Sequence, residues 1–403
     1  MPKILIINTV FSQGGAAAVA RNIHNDLNGI SGFSSYFAYG RGSTINDGKI
    51  YKFGYLPEVY LHTFLTRFGG VEGWGTWLST QRLINYIKQN NFDLIHIHNL
   101  HGYYVNFFWL VKFLGSLNIP IVWTLHDEWP LTWMPAHSMG CKHCVSGAGK
   151  CENAYDYPKT YNYLFQKFLL GEKQRMLGSC WNPTIVCPSE WLANRAKESY
   201  LSKFDIRVIY NGVDIKRFNN SRDKDVLRKK YGLPIDKKII IFGMGKLKGV
   251  DHIFKIAEML KNKNYLFLGV GGNKNYKTDL SNFIFRSYVK REQEMAELIS
   301  LSDLFITPSL AETFPLFLIE AMASGLPAAG FDIPAHRELI DSRVGILARL
   351  GDVDGLSRGV EYIFDDQSRL KNMGLAAREK AELFSFDRFI NGYRELYKKL
   401  LNQ

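Results

Sequence analysis

The stretch Ser309-Leu310-Ala311-Glu312-Thr313-Phe314-Pro315-Leu316-Phe317-Leu318-Ile319-Glu320-Ala321-Met322-Ala323-Ser324-Gly325-Leu326-Pro327 sets two glutamates eight positions apart, one ahead of a helix start and one inside the helix. Pro315 suits the first helical position, where a missing N–H and a fixed φ do little harm. Gly325 and Pro327 supply a C-terminal stop, and Ala328-Ala329-Gly330-Phe331 then reads as a buried strand. The helix therefore aims its free N–H groups and positive dipole end at a site flanked by Glu312, a setting that favours phosphate. Glu320 lies about a turn and a half into the helix, where a carboxylate is placed to accept hydrogen bonds from vicinal hydroxyls.

Working outward, the second half alternates short apolar runs with helical patterns. Lys238–Gly243, Tyr265–Gly269, Leu304–Thr307 and Ala328–Phe331 read as strands. The first half does the same: Ile4–Ile7, Asp93–His98, Ile121–His126 and Thr184–Cys187 read as strands, and Ala16–Leu27, Thr80–Gln89 and Trp191–Ser199 as helices. Such alternation predicts α/β architecture with parallel, doubly wound sheets. A chain of 403 residues exceeds one ordinary core. The boundaries expected are an N-terminal Rossmann-like domain over 1–210 with a cysteine-rich insertion at about 137–151, and a C-terminal one over 211–380 that opens with a polar linker, 211–237. The remainder, 381–403, reads as a basic amphipathic helix that packs back on the N-terminal domain.

Hydrophobic residues make up 46% and charged residues 22%, which excludes a disordered chain and describes a globular one. No apolar run is long enough for a membrane-spanning helix. Lys3-Ile4-Leu5-Ile6-Ile7 lacks the length and cleavage site of a secretory signal, so a cytoplasmic setting is the expectation. The net charge of +12 is spread over both halves. It suits nucleotide phosphates or anionic lipid head groups, and no zinc-finger or aromatic RNA-binding signature accompanies it, so no nucleic-acid partner is expected.

The two-glutamate segment, flanked by Ser302-Asp303-Leu304-Phe305-Ile306-Thr307-Pro308 and Gly325-Leu326-Pro327, resembles the E-x7-E signature of retaining GT-B glycosyltransferases of family 4, in their exopolysaccharide/colanic-acid-type group. The resemblance extends in order over nearly the whole chain. It implies two Rossmann-like domains facing across a cleft. It implies transfer of a sugar from a nucleoside-diphosphate sugar, UDP- or GDP-linked, to a glycan or lipid-linked acceptor in bacterial surface polysaccharide synthesis, with retention of configuration and no catalytic cofactor. By the same resemblance Glu312 faces the donor sugar and Glu320 holds the ribose. His126, in Thr124-Leu125-His126-Asp127, contacts the sugar near the scissile bond, and Lys246 and Lys248 grip the diphosphate. The family's Arg is replaced by Lys246, a point charge without the bidentate fork. Many members have Gly-Phe-Gly after the first Glu, whereas Thr313-Phe314-Pro315 stands here, so phosphate-facing amides would come from Phe314 and Leu316 rather than Pro315. Gly14 and Gly15, after the first strand, either let the backbone approach a ligand or form a plain tight turn.

Five cysteines argue against a disulfide framework. Cys141, Cys144 and Cys151, with His137 and His143 close by, have spacing that suits a structural Zn2+ with three thiolates and one imidazole, His137 being the expected fourth ligand, and a reduced, loop-borne cysteine group fits equally well. Two segments, Tyr103–Leu114 and Tyr161–Arg175, mix aromatic and basic residues as a bilayer-docking face would, although a buried helix of the first domain is the readier reading of Tyr103–Leu114; peripheral attachment to the inner face of the cell membrane is an expectation. Two rival readings remain at this level. A catalytically inactive GT-B scaffold would bind nucleotide or polysaccharide without transfer. A nicotinamide-dependent oxidoreductase is disfavoured by the absence of G-x-G-x-x-G after either first strand.

Overall fold

The computed structural model describes every residue except 13, 30–31, 156, 163, 272–277, 287–288, 290–291 and 403. Gln13 of the Ser12–Gly15 turn thus lies outside the described residues. The chain forms two compact units, Met1–Tyr210 with Ile390–Gln403, and Asn211–Phe389.

The first unit is built on β1 (Lys3–Val10), β2 (Ser34–Arg41), β3 (Ile50–Lys52), β4 (Leu94–Ile97), β5 (Ile121–Thr124), β6 (Thr184–Cys187) and β7 (Ile206–Val208). They form one parallel sheet in the order β3-β2-β1-β4-β5-β6-β7. Helices cover both faces of such a sheet, so its inner strands are apolar on both sides, as the fully buried Ile4–Ile7 run is. The second unit carries β8 (Lys238–Gly243), β9 (Tyr265–Val270), β10 (Phe283–Arg286), β11 (Leu304–Thr307), β12 (Ala328–Phe331) and β13 (Gly345–Ala348). Its parallel sheet runs β10-β9-β8-β11-β12-β13. The continuous apolar runs announced their strands. β3 and β7, three residues each, and β2, which opens on two serines, gave no such run, and the short β10 and β13 lie outside the strands predicted from the sequence as well.

Two expectations need correction. Residues 211–237 open the second unit as expected, but they are not a bare linker: they contain the helix Lys224–Lys230 capped by Asp223. Arg228 in that helix is buried; it donates to the carbonyls of Leu301, Ile235 and Lys237 and pairs with Asp303 at 2.7 Å. A polar sequence thus conceals an internal strut, because its charge is fully satisfied. Of the two readings of Tyr103–Leu114 the interior one holds: in the helix Phe107–Leu114, residues Phe107, Leu110, Val111 and Leu114 face the core. Finally, β5 stops at Thr124, so His126 follows the strand by two residues rather than ending it.

The last helix, Phe386–Leu400, leaves the second unit after Phe389 and belongs to the first from Ile390 on. Within the first unit Arg394 pairs with Asp26, and Tyr393 and Tyr397 are buried.

Candidate functional site

Each sheet reverses its strand order beside its first strand: β1 lies between β2 and β4, and β8 between β9 and β11. Ligands of doubly wound sheets bind outside the carboxyl ends of the strands at that reversal. The loops following β1 and β4, and those following β8 and β11, are therefore where topology places a site in each unit.

In the second unit the loop after β8 carries Lys246 and Lys248, and the loop after β11 carries Glu312. The two loops are tied by a bond from Leu310 N–H to the Leu247 carbonyl, 2.9 Å. They approach so closely that a Cβ on Gly249 would sit 1.9 Å from the Pro308 carbonyl oxygen, which only glycine permits. This approach brings Lys248 Nζ into an ion pair with Glu312, and Ser309 Oγ donates to the same carboxylate at 3.0 Å. Burial by itself would push the Glu312 carboxyl up. The charge and hydrogen bond of Lys248, helped by His336 and Ser309, outweigh it and hold the group below the usual carboxylate range. Lys246 is exposed at the loop tip, away from this pair. Lys248, Glu312, Thr307, Ser309 and Pro315 line one pocket, which neither Lys246 nor Glu320 joins.

The helix between the glutamates runs Leu316–Ala323, so Pro315 is its N-cap rather than its first residue. The Pro315 carbonyl accepts from Leu318 and Ile319 at 3.1 and 3.3 Å. Proline has no side-chain oxygen with which to cap, and the N–H groups of Leu316 and Phe317 precede the first intrahelical bond. Phe314 is buried against Phe384, with ring centroids 5.6 Å apart. The stop is the one expected: Gly325 N–H bonds the Met322 carbonyl at 2.9 Å and Leu326 N–H that of Ala321 at 3.0 Å. Glu320 meets a different environment from Glu312. Among the described residues no side-chain hydrogen bond or ion pair reaches it, and burial pushes its carboxyl up to about 8.

His336, which the sequence did not single out, supports the pocket from below. Its Nδ1 donates to the Phe331 carbonyl at 2.7 Å, which leaves Nε2 to accept from Thr307 Oγ1 at 3.3 Å. Burial lowers its pKa, so it stands there as a neutral imidazole. Only its spacing beyond β12 could have marked it.

In the first unit Gly14 adopts φ +88° in the turn out of β1, and Gly15 opens the helix Gly15–Gly29. The positive φ is what requires a glycine at position 14, whereas Gly15 meets no neighbour that would forbid a side chain. The loops after β4 and β5 assemble a row of histidines. His98 Nδ1 and His126 Nε2 share a hydrogen bond of 2.8 Å with their rings stacked, and the His96 ring lies 4.2 Å from that of His98. Behind them His96 is held on both nitrogens, by Thr124 Oγ1 at 2.7 Å and by Tyr397 of the last helix at 2.7 Å; Tyr393 bonds the same threonine at 2.8 Å. Burial lowers the pKa of His126 to about 4 and of His96 to about 3, and takes His98 well below the ordinary value. The row is neutral at physiological pH, and His98 Nε2 is buried with no hydrogen-bond partner among the described residues.

Next along the loop, Asp127 bonds His101 Nε2 at 2.8 Å and accepts from Trp129 N–H at 2.9 Å. Burial would raise this carboxyl, but His101 and its hydrogen bonds bring it down to about 2. Beneath the loop, Lys173 Nζ sits 3.7 Å from the Trp129 ring centroid and donates to the carbonyls of Trp129 and Thr132, and Trp129 Nε1 donates to Glu72 at 3.0 Å. His98, His101, His126 and Asp127 line one pocket of this unit. The sequence flagged only His126; the neighbouring His-x-His at 96–98, at the end of a buried strand, carried the same signal.

The cysteine insertion brings Cys141, Cys144 and Cys151 together, with all three sulfurs within 4.8 Å of one another, and excludes His137. Cys141 caps the short helix Lys142–Ser146, so Cys144 comes round to the same side, and the Gly147–Gly149 turn returns Cys151 to both. His137 lies ahead of the turn at Met139 and Gly140 and is instead an electrostatic neighbour of Asp127.

Two family descriptions match this chain, "Glycosyltransferase Family 4" over residues 13–217 and "Glycosyl transferases group 1" over residues 223–380. Among curated proteins it is 25% identical over 366 residues to the putative colanic acid biosynthesis glycosyl transferase WcaC of Escherichia coli K12, covering 85% of this chain and 86% of that one. Among solved structures it superposes on sucrose-phosphate synthase from Thermosynechococcus elongatus with a TM-score of 0.74 at 17% identity, covering 100% of both chains. It also superposes on Anabaena HepE in complex with UDP-glucose, with a TM-score of 0.66 at 15% identity, covering 98% of this chain and 99% of that one.

Proposed function

The chain belongs to glycosyltransferase family 4, with the GT-B fold of two Rossmann-like domains, and from that premise we propose that it moves a sugar, with retention, from a nucleoside-diphosphate sugar to a growing surface glycan. The observation that carries the donor assignment is the Lys248–Glu312 pair at the reversal point of the second sheet, beside a helix whose first N–H groups have no side-chain cap. The donor diphosphate takes these amides and the charge of Lys248, with Lys246 closing from the loop tip. That arrangement stabilises the negative charge that grows on the leaving diphosphate. Glu320 accepts from the ribose hydroxyls. Neutral His126, unable to compete for the phosphates as a cation, serves as a hydrogen-bonding contact for the transferred sugar. The acceptor hydroxyl attacks from the side the nucleotide leaves, and its proton passes to the departing phosphate oxygen, so no strong protein base is needed. HepE binds UDP-glucose by its printed description, which favours a UDP-sugar here.

The acceptor, in this reading, is lipid-linked and met at a bilayer with anionic head groups. The helix Leu56–Phe64 and the π-helical turn Leu65–Gly69 expose Tyr60 (66%), Phe64 (58%) and Phe68 (57%), and the adjoining segment exposes Leu164 (83%) and Phe168 (57%). The two segments are continuous: the Phe68 and Tyr161 rings are 5.7 Å apart, and Tyr161 N–H bonds the Arg67 carbonyl at 2.8 Å. Arg67 and Lys167 stand exposed among them; Glu58 is buried against the amides of Leu78 and Ser79, and Glu172 is paired with Arg175. An apolar surface that carries cations, with its carboxylates buried or paired, suits an anionic membrane. No helix of the described residues is long and apolar enough to cross one.

The test is calorimetric titration with UDP-, GDP-, ADP- and dTDP-sugars, on the protein and on Glu320→Ala. Binding selective for one base and lost in the variant is expected; folded protein that binds none of them would overturn the assignment. Sedimentation with phosphatidylglycerol-containing vesicles, compared with the double variant Phe64→Ser, Phe68→Ser, tests the surface separately.

A further inference from the structure

We propose that Cys141, Cys144 and Cys151 hold a structural zinc ion that fixes the loop running on from His126 and Asp127. Three sulfurs gathered within 4.8 Å, two of them buried, form the one group of three or more metal-type ligands among the described residues. Thiolates on one tetrahedral zinc lie about 3.8 Å apart, as follows from a Zn–S distance of about 2.3 Å. The close pair, Cys144 and Cys151 at 2.9 Å, would have to separate slightly, and the group as a whole to contract. Cys141 and Cys144 stand three residues apart across the start of a helix, and a glycine turn brings back the third sulfur, so the backbone itself converges on one point. Asn153 Nδ2 points an N–H at Cys144 Sγ, 3.7 Å, the kind of outer contact that orients a coordinated thiolate.

The segment needs such a centre. Residues 140–150 contribute almost nothing apolar, and the local cluster around Trp133, Met134, Leu169 and Leu170 is completed by the cysteines themselves. A disulfide between Cys144 and Cys151 would leave Cys141 beside it without a role, whereas a metal uses all three. The insertion is also joined to the site loop. Glu128, which follows Asp127, accepts from Ser138 N–H at 2.8 Å and from its hydroxyl, and Glu128 N–H bonds the Ala136 carbonyl at 2.8 Å. Metal binding and the posture of Asp127 are therefore coupled through a few bonds. A fourth ligand lies outside the group of three. His143, with Nδ1 donating to the Ala148 carbonyl, keeps Nε2 as its lone-pair nitrogen and is the imidazole to examine first.

The experiment is metal analysis of full-length protein purified without chelator, together with cobalt substitution. About one equivalent of zinc is expected, released in step with titration of three thiols by a mercurial reagent. The cobalt form should show sulfur-to-metal charge transfer in the near ultraviolet, lost in Cys144→Ser and weakened in His143→Ala if that ring completes the site. Release of zinc from wild-type protein needs no variant, so a misfolded Cys144→Ser does not obscure the outcome. Zinc near zero with five free thiols on unfolding, or a mass two hydrogens short that marks a disulfide, would each overturn the proposal.

Discussion

At the strand reversal of the first unit, His96, His98 and His126 lie against one another, and burial holds all three neutral. At the reversal of the second unit Glu312 is also withdrawn from water, yet it stays ionised because Lys248 is its partner. The same position in the same kind of sheet thus carries a neutral hydrogen-bonding surface in one unit and a charge pair in the other. Burial decides protonation only where no counter-charge is at hand. An imidazole cannot supply one to another imidazole, and a lysine can supply one to a carboxylate. Glu320 makes the point within a single segment: eight residues beyond Glu312, with no cation against it, it moves in the opposite direction.

The largest expected effect breaks the charge pair. Glu312→Gln keeps the shape and removes the charge, and should lower kcat by about 10²–10³-fold, the scale of losing one positioned electrostatic contact in a site. Nucleotide affinity should change only a few-fold, since the diphosphate still finds Lys248. Steady-state kinetics alongside calorimetry separates the two; equal losses in kcat and in binding would mean that Glu312 is a nucleotide ligand instead. The acid side of the stability curve checks the same pair. Because the folded carboxyl titrates below its unfolded value, the pair's contribution is complete above about 4.5 and fades as pH falls through the lowered folded value.

Glu320 gives the next largest effect, with opposite sign. If ribose hydroxyls donate to its carboxylate, binding must remove the proton the free protein holds up to about pH 8. Affinity should then climb with pH toward 8 by at most about tenfold per unit, level off above, and become flat in Glu320→Gln. Calorimetry in two buffers of different ionisation heat should register proton release. Proton uptake would show that the protonated acid is the donor. Stability runs the other way: with its folded pKa raised, Glu320 costs the fold progressively more as pH rises from about 4.5 through about 8.

The neutral row is probed from behind. Tyr397→Phe leaves the buried His96 Nδ1 without its partner and should cost about 1–3 kcal/mol in urea unfolding. The pH profile of kcat should meanwhile show no inflection near the ordinary histidine value of about 6.5. An inflection there that vanishes in His126→Asn would mean that the row carries a proton in the working enzyme.

Much of this was legible from residues alone, for a physical reason. Strands buried on both faces are continuous apolar runs, and a helix framed by Pro315 and Gly325 has its ends written in the sequence, so the two sheets and the signature segment could be read directly. What stayed hidden depends on long-range approach. Arg228 looks like a solvated linker residue until Asp303 and the Leu301 carbonyl, from some seventy residues on, join the nearby carbonyls of Ile235 and Lys237 around it. His336 and Tyr397 become supports of the two pockets only once β11 and β5 lie beside them. The exposed apolar surface shows the same limit: of the two aromatic segments, Tyr103–Leu114 turned inward and the more exposed surface came from Leu56–Gly69, whose composition is no more apolar than that of a buried helix. Composition cannot tell which face of a helix the rest of the unit leaves uncovered.

The smallest expected effect bears on whether charge in the second unit must be paired to matter. Lys246 is exposed, and among the described residues no ion pair holds it. An unpaired surface cation is screened over about 8–10 Å at ordinary salt, so Lys246→Ala should weaken sugar-nucleotide binding by only about two- to fivefold at low ionic strength, an effect expected to disappear above about 0.5 M salt. Lys248→Ala should cost far more and respond less to salt, because its charge is already fixed against Glu312. Lys246→Arg offers the finer comparison. If the loop closes on the diphosphate, the forked guanidinium should bind at least as well as lysine; if Lys246 stays in solvent, arginine and alanine will differ only through that same screened field. A salt-resistant loss in Lys246→Ala as large as that of Lys248→Ala would show that the loop tip, not the preformed pair, is the principal grip on the diphosphate.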